Sequence, residues 1–354
     1  MSMPNKNIFN VIRLLAALQV AFLHTHRYFL PDTNATFLRV LDMFPGVPIF
    51  FVISGFLISA SWERNKNLGV IEYARNRVLR IFPALWVCFL VSLIAVSLVY
   101  DKTPLSSDFP KLLIWCLGQL SFVQFYNPEF FRGYGVGVMN GSLWTISVEL
   151  QFYILLPIIH VLLRKHSEKL KSIFVVYLLL IVINLINTYL ANTPSIYSKL
   201  LNITILPHLF MFMLGVFIQS QFTKFVELTK GKLPVFMGMY LLLAYSCHLL
   251  DMTYYGNLIN PVSALLLGVI IISAAYNTTL VEKVPHINWD ISYGIYIYHM
   301  VVLNVFYDLT IYSPVQNLIL TLLVSIALAG LSWRFIEEPC LQLKSKTKER
   351  SSAA

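Results

Sequence analysis

Eleven apolar segments follow one another along the 354-residue chain, and no other feature limits its fold as strongly. They cover residues 9–29, 47–60, 81–100, 112–126, 142–163, 172–190, 203–221, 235–250, 260–276, 288–307 and 316–338. Hydrophobic residues make up 57% of the chain and charged residues only 12%, whereas soluble domains carry about 25% charged residues. A water-soluble core cannot hide this much apolar surface, so the sequence predicts an all-α polytopic membrane protein.

The distribution of Lys and Arg indicates how many of these segments cross the membrane, because positively charged loops stay in the cytoplasm. Arg13 and Arg334 lie within segments, and Arg27, at the end of the first segment, is counted with the loop that follows it, which leaves 24 of the 26 Lys and Arg in loops. If all eleven segments cross from a cytoplasmic N-terminus, 8 of these 24 are cytoplasmic; if segment 112–126 only dips in and returns, 18 are. The second arrangement predicts ten transmembrane helices, a re-entrant segment near 112–126 and two cytoplasmic termini. Residues 1–340 then form one membrane domain, and residues 341–354 form a short tail expected to be disordered.

The first apolar segment carries an ionisable pair. Arg13 and His24 are eleven residues apart, close to three helical turns, so they project from nearly the same face. A charge at the centre of a membrane helix costs roughly 2.5–3.5 kcal/mol and usually marks a functional site. Because histidine titrates near neutral pH, His24 is a candidate general base that takes a proton from a hydroxyl, the alternative being a hydrogen-bonded core histidine. His26 is turned by roughly 200° from His24 and is not expected to share this role.

Ionisable groups in three later segments allow a catalytic and a structural interpretation. Glu149 either orients and stabilises the protonated base or forms a structural ion pair with an arginine. His299, flanked by tyrosines, is expected to be a hydrogen-bonded structural histidine rather than a catalytic one. Glu337 and Glu338 are explained by a salt bridge with Arg334 at the end of the last segment.

Arg75, Arg77 and Arg80 stand in a basic stretch at residues 61–80 that is predicted to be a cytoplasmic loop. Topology and anionic lipid alone account for such a stretch. The alternative is phosphate recognition, for which the planar fork of guanidinium donors is suited. Pro83 is expected in the first turn of the helix that follows.

Several functional classes find no support in the composition. The four cysteines show neither metal-ligand spacing nor the clustering of a disulfide framework, so no metal is expected. In a membrane protein the location of the charges matters more than their sum, so the net charge of +9 does not imply nucleic-acid binding. The glycines at 133–141 do not have the spacing of a dinucleotide-binding loop, and no strand is predicted before them.

Together, the motifs resemble the acyltransferase-3 family of integral membrane acyltransferases, which O-acylate bacterial surface glycans. The resemblance runs from about residue 8 to residue 340. The motifs that carry it occur in order: Arg13–x10–His24, FFVISGFLIS (50–59), YARNRVLRIFPALW (73–86), SLWTISVELQFYILLP (142–157), ISYGIYIYHM (291–300) and WRFIEEP (333–339).

The resemblance implies an O-acyltransferase domain at residues 1–340 in the bacterial inner membrane. The donor is then acetyl-CoA or a related acyl-CoA, and the acceptor is a sugar hydroxyl of a lipid-linked glycan or surface polysaccharide such as lipopolysaccharide O-antigen. His24, Arg13 and Glu149 match the family's catalytic motifs, and Arg75 and Arg77 match its arginine motif, which with Arg80 is expected to bind the donor. Many members carry a C-terminal SGNH-type domain, and this sequence resembles the stand-alone class instead.

Two rival functions remain on the sequence alone. Intramembrane charges also line transport paths, so a transporter or flippase of a glycan or lipid-linked sugar is the alternative. An inverted repeat would favour that alternative, and none is detectable. A membrane-embedded sensor without chemistry is the third interpretation.

Overall fold

The structure is a computed structural model that describes residues 6–31, 33, 36–65, 69–100, 108–164, 169–191, 200–250, 252, 256–257, 259–285 and 287–344. Throughout these ranges the regular secondary structure is helical and no strand occurs. The prediction of an all-α chain is therefore confirmed for the described residues.

The helices, in chain order, are α1 Phe9–Phe29, α2 Thr36–Asp42, α3 Gly46–Asn65, α4 Gly69–Val99, α5 Phe109–Leu120, α6 Trp144–Arg164, α7 Lys169–Ala191, α8 Leu209–Ser220, α9 Phe222–Thr229, α10 Leu233–Leu249, α11 Pro261–Ala275, α12 Thr278–Lys283, α13 Ser292–Leu309 and α14 Pro314–Ser332. A short 3-10 turn lies at Glu129–Phe131, and a π-helical turn at Trp333–Glu337 follows α14.

Local sequence signals set several of these ends. Asn260 caps α11 by accepting from the Ser263 backbone N–H, and Pro261 occupies the first turn, where its missing N–H costs nothing. α14 begins with a capping box between Ser313 and Gln316, in which each side chain bonds the other residue's backbone.

The arginine stretch is helical, which corrects one prediction. α4 begins at Gly69, twelve residues before the predicted segment, and therefore includes Arg75, Arg77 and Arg80. Pro83 lies inside this helix rather than in its first turn. A hydropathy pattern leaves charged residues out of an apolar segment, although helix propensity and packing can keep these residues helical.

Three stretches are long and apolar enough to cross a membrane, namely Thr36–Asn65, Gly69–Val99 and Pro314–Lys344. A fourth is possible if α8 and α9, bent by 90° at Gln221, are counted as one span. These stretches support a membrane protein, while the count of ten spans and the sides of the termini stay predictions. Helix α5, in the predicted re-entrant segment, has 12 residues, about 18 Å at 1.5 Å per residue and too short to cross. The predicted tail is helical as far as Lys344, and residues 345–354 lie outside the described part.

The chain forms two compact units, and α1 contributes its first half to one and its second half to the other. The first unit comprises Met1–Ala16, Ala35–Asn67 and Val148–Asn288. Its core is the packing of α3 against α8, flanked by α7 and α11. Gly55 and Gly215 allow the two backbones to touch: a Cβ on Gly55 would lie 2.1 Å from the Phe212 carbonyl oxygen, and one on Gly215 would lie 2.2 Å from that of Val52. Small residues at such crossings are typical of membrane helices.

We expect Gly215→Ala to destabilise the protein by about 1–3 kcal/mol, because the new methyl group meets backbone atoms that cannot rotate away. Thermal unfolding of the purified protein in detergent measures the effect. Gly238→Ala is the matched control, since a Cβ there meets nothing within 4 Å. Equal melting of the two variants would contradict the close α3–α8 contact.

The second unit comprises Ala17–Asn34, Leu68–Ser147 and Trp289–Ala354. Helix α13 packs against α4 and α14, and α4 also contacts α5 and the π-helical turn. Trp115, Phe131, Tyr134 and Met139 form an apolar cluster with Phe89 of α4. This cluster packs residues 115–139 against α4 within the unit that contains His24.

Candidate active site

His24 on α1 and His299 on α13 form a hydrogen-bonded pair in the second unit. His24 Nδ1 lies 3.0 Å from His299 Nε2, and the two rings are tilted by 32° with centroids 5.2 Å apart. His299 is completely buried, whereas His24 retains some exposure. The other nitrogen of His299, Nδ1, lies 3.2 Å from the Ile295 carbonyl oxygen. Within the described residues, no hydrogen-bond partner of His24 Nε2 is seen.

Helix α13 is held rigidly at the level of His299. Ser142 Oγ donates to the Tyr296 carbonyl oxygen, and Asn140 Nδ2 donates to that of Ile297 at 2.8 Å. Cys88 Sγ of α4 donates to the same Ile297 oxygen. Buried polar bonds of this kind fix a side-chain position, so α13 presents His299 to α1 in one orientation.

The stretch that precedes α6 is hydrogen-bonded to the end of α13. The backbone N–H of Gly135 donates to both Asp308 carboxylate oxygens at 3.0 Å, and that of Val136 donates to Asn304 Oδ1. Gly135 has a φ of +52°, and a Cβ there would lie 2.2 Å from Asn304 Oδ1, so only glycine fits. Burial, followed by the Asp308 charge, raises the pKa of the neighbouring Tyr134 hydroxyl, which keeps this group protonated.

The three arginines of α4 have different surroundings. Arg80 forms an ion pair with Asp290, a buried carboxylate that also accepts from Ser292 Oγ. The Arg77 guanidinium lies over the Tyr73 ring, 5.7 Å from its centroid. Arg75 is exposed and pairs with Glu72 at 3.4 Å. The structure therefore pairs Arg80 with Asp290, close to the start of α13, and leaves Arg75 exposed.

Lys344 was not foreseen as a site residue. It is half-buried at the end of the helix that follows the π-helical turn, and its ammonium lies close enough to Arg77 and Arg80 for their charges to repel it. A cluster of three cations in one place favours an anionic ligand. The hydropathy pattern gave no signal for it, because Lys344 belongs to a segment predicted to be a disordered tail.

The two glutamates of the last motif separate. Glu338 pairs with Arg334 at 3.0 Å, as predicted. Glu337 is buried and accepts from Ser332 Oγ at 3.2 Å, and the ion pair seen for Arg334 is the one with Glu338, so the predicted salt bridge with Arg334 is seen for Glu338 alone. Glu337 is the last residue of the π-helical turn and its one buried residue.

Arg13 and Glu149 belong to the first unit. The Arg13 guanidinium lies over the Phe50 ring at 5.9 Å. Glu149 accepts hydrogen bonds from Ser54 Oγ at 3.0 Å and from the Tyr153 hydroxyl. Glu149 is therefore held by two hydroxyl donors rather than by the arginine pair considered from the sequence. No group of three or more His, Cys, Asp or Glu in the described part of the chain has the arrangement of a metal site.

Comparison with known proteins indicates the family of this chain. Residues 6–335 match the family model described as an acyltransferase domain. Nodulation protein 10 of Rhizobium leguminosarum bv. viciae is 29% identical over 99% of this chain and 97% of its own length. An O-acetyl transferase of Shigella phage Sf6 is 25% identical over 97% of this chain and 98% of its own length.

A third relative is similar over a shorter region. The peptidoglycan O-acetyltransferase OatA of Listeria monocytogenes is 29% identical over 32% of this chain and 19% of its own length. No solved structure matches. Since the family model covers almost the entire chain, the protein belongs to the acyltransferase-3 family and is an acyltransferase.

Proposed function

We propose that this protein transfers an acetyl group from acetyl-CoA to a sugar hydroxyl of a bacterial surface glycan, such as the O-antigen of lipopolysaccharide, with His24 as the general base. The observation that carries the proposal is the His24–His299 pair, in which one nitrogen of a partly exposed imidazole is held and no hydrogen-bond partner of the other is seen among the described residues. A nucleophilic Ser or Cys is not required, because the acceptor hydroxyl is itself the nucleophile.

The chemical step needs one proton to be moved twice. His24 Nε2 takes the proton of the acceptor hydroxyl while its oxygen attacks the thioester carbonyl carbon. The C–S bond then breaks, and the CoA thiolate takes the proton from His24 as it leaves. The products are an O-acetyl ester and CoA thiol, and His24 returns to its starting state.

Donor recognition is assigned to the cation cluster of Arg77, Arg80 and Lys344, with Arg75 at its exposed edge. Guanidinium groups bind phosphate oxygens in pairs, and CoA carries a 3′-phosphate and a diphosphate. Helix α13 links this cluster to the base, because Asp290 lies two residues before its start and His299 lies seven residues, about 10 Å, beyond its first residue. The extended pantetheine arm of CoA suits such a separation.

In the membrane, we place the cation cluster at the cytoplasmic side of the inner membrane and the acceptor on the opposite side, near residues 101–141. The ten predicted spans and cytoplasmic termini agree with this arrangement. Arg13 and Glu149 are further candidates for catalysis, Arg13 as the cation in line with His24 on α1 and Glu149 as a carboxylate held by Ser54 and Tyr153.

The acceptor class is drawn from the relatives. The names of the phage and Listeria proteins give O-acetyl transfer, in the second case to peptidoglycan. A lipid-linked glycan or a finished surface polysaccharide is the corresponding acceptor here, and the lipid-linked form suits an enzyme whose helices are apolar enough for a membrane.

The test is mass spectrometry of surface polysaccharide purified from cells that express the protein. A mass increase equal to one acetyl group per repeat, absent from cells with an empty vector, supports acetyl transfer. An unchanged mass with an altered amount of surface glycan would contradict the proposal and point to transport.

We expect Arg77→Gln to weaken CoA binding about tenfold, because one charge-assisted bond to phosphate contributes about 1.5 kcal/mol or more. Calorimetric titration of CoA into the protein in lipid nanodiscs measures the change. Arg334→Gln is the matched control, an exposed arginine paired with Glu338 on another helix turn. Equal affinities of the two variants would contradict the assignment of the donor site.

A further inference from the structure

We infer that His299 is a positioning residue that fixes the tautomer of His24, so that Nε2 of His24, and not Nδ1, is the basic nitrogen. The inference rests on the proposed function and deepens it. It assigns a role to a histidine that the sequence indicated to be structural, and it specifies the atom that takes the acceptor proton.

The argument begins at the Ile295 carbonyl. A carbonyl oxygen only accepts hydrogen bonds, so the proton shared with it at 3.2 Å must reside on His299 Nδ1. The second lone pair of this oxygen is available beside the helical hydrogen bond. His299 is therefore held with a protonated Nδ1.

The burial of His299 decides the state of its other nitrogen. The residue is fully buried, so a positive charge on its imidazole would have a large desolvation cost. No carboxylate is seen bonded to it in the described second unit that would offset this cost. His299 is therefore neutral, and a neutral imidazole with a protonated Nδ1 carries a lone pair on Nε2.

The lone pair on His299 Nε2 then sets the state of His24. Because the two nitrogens lie 3.0 Å apart, His24 Nδ1 must donate the hydrogen between them. The remaining nitrogen of His24, Nε2, is left with the lone pair. In Ser-His-Asp sites a carboxylate holds the imidazole by Nδ1 in the same way, and here a neutral imidazole takes that place.

The neutral partner has a chemical consequence. When His24 takes the acceptor proton, the imidazolium is stabilised by a hydrogen bond to His299 and by no full negative charge from it. The proton is accordingly held weakly, which favours its transfer to the leaving CoA thiolate.

The experiment compares His299→Gln with His299→Leu in membrane vesicles that carry the host glycan, with radiolabelled acetyl-CoA as donor. The Gln amide oxygen replaces the Nε2 acceptor, so we expect this variant to keep kcat within about tenfold of the wild type. Leu removes the acceptor, and we expect kcat to fall about 10²-fold or more with an unchanged KM for acetyl-CoA. The kcat values of the two variants are compared only if both have wild-type membrane abundance and CoA affinity, because these two quantities report correct folding.

A spectroscopic measurement tests the same inference without activity. In solid-state NMR of the 15N-histidine-labelled wild type, the His24 signals, assigned by their loss in His24→Gln, should show a protonated Nδ1 and an unprotonated Nε2. The opposite tautomer would overturn the inference, as would equal kcat values of the Leu variant and the wild type, or equal losses in Leu and Gln. Full activity of His24→Gln would instead refute His24 as the base, so the two failures are distinguishable.

Discussion

His24→Ala is expected to lower the rate of acetyl transfer by on the order of 10²–10⁴-fold, the contribution that a positioned general base makes to proton transfer. The side chain lies on α1 with its ring held at Nδ1 by His299, and its Nε2 is the nitrogen proposed to take the acceptor proton. The rate is measured as acetyl incorporated into glycan by membrane vesicles, and in cells as the acetyl content of purified polysaccharide.

His26→Ala is the matched control for this prediction. His26 lies on the same helix, and its ring nitrogen contacts Thr33 Oγ1 at 2.7 Å instead of an intramembrane partner. It should keep nearly the full rate. Acetyl transfer that persists in His24→Ala at equal protein abundance would show that another group, or none, removes the acceptor proton, even if the enzyme class stood.

Arg80→Leu is expected to destabilise the fold by about 3 kcal/mol, because it leaves the buried Asp290 carboxylate without its ion-pair partner. The side chains of the pair are only 18% and 7% exposed, so solvent screens it little. Chemical denaturation of the purified protein in detergent measures the loss, and CoA affinity is measured on the same preparation.

Two controls separate stability from donor binding. The double variant Arg80→Leu/Asp290→Asn should recover much of the stability, because the uncompensated charge is gone, but should still bind CoA more weakly than the wild type. Arg75→Leu, on the same helix, should change stability by less than about 0.5 kcal/mol, since its pair with Glu72 is solvent-exposed. If Arg80→Leu is as stable as the wild type, other donors compensate the Asp290 carboxylate and the prediction is wrong.

The helical class of this chain follows from composition, because backbone groups in lipid must be hydrogen-bonded within their own segment. The segment 9–29 coincides with α1 for the same reason. Helix ends at charged residues were less predictable: α4 runs through Arg75, Arg77 and Arg80, and the last helix runs to Lys344. Hydropathy measures the free-energy cost of placing a side chain in lipid. The charged helical turns of α4 and of the last helix are stabilised instead by ion pairs and by neighbouring helices.

The sequence by itself identified the candidates that stand on one helix, such as Arg13 and His24 on α1 and the three arginines on α4, because helical periodicity converts spacing into direction. Only the tertiary structure paired His24 with His299, 275 residues away, and Arg80 with Asp290, 210 residues away. It also turned Glu337 inward and brought Lys344 to the arginines. Such partners depend on how separate helices pack, and no local pattern in one sequence encodes the register between them.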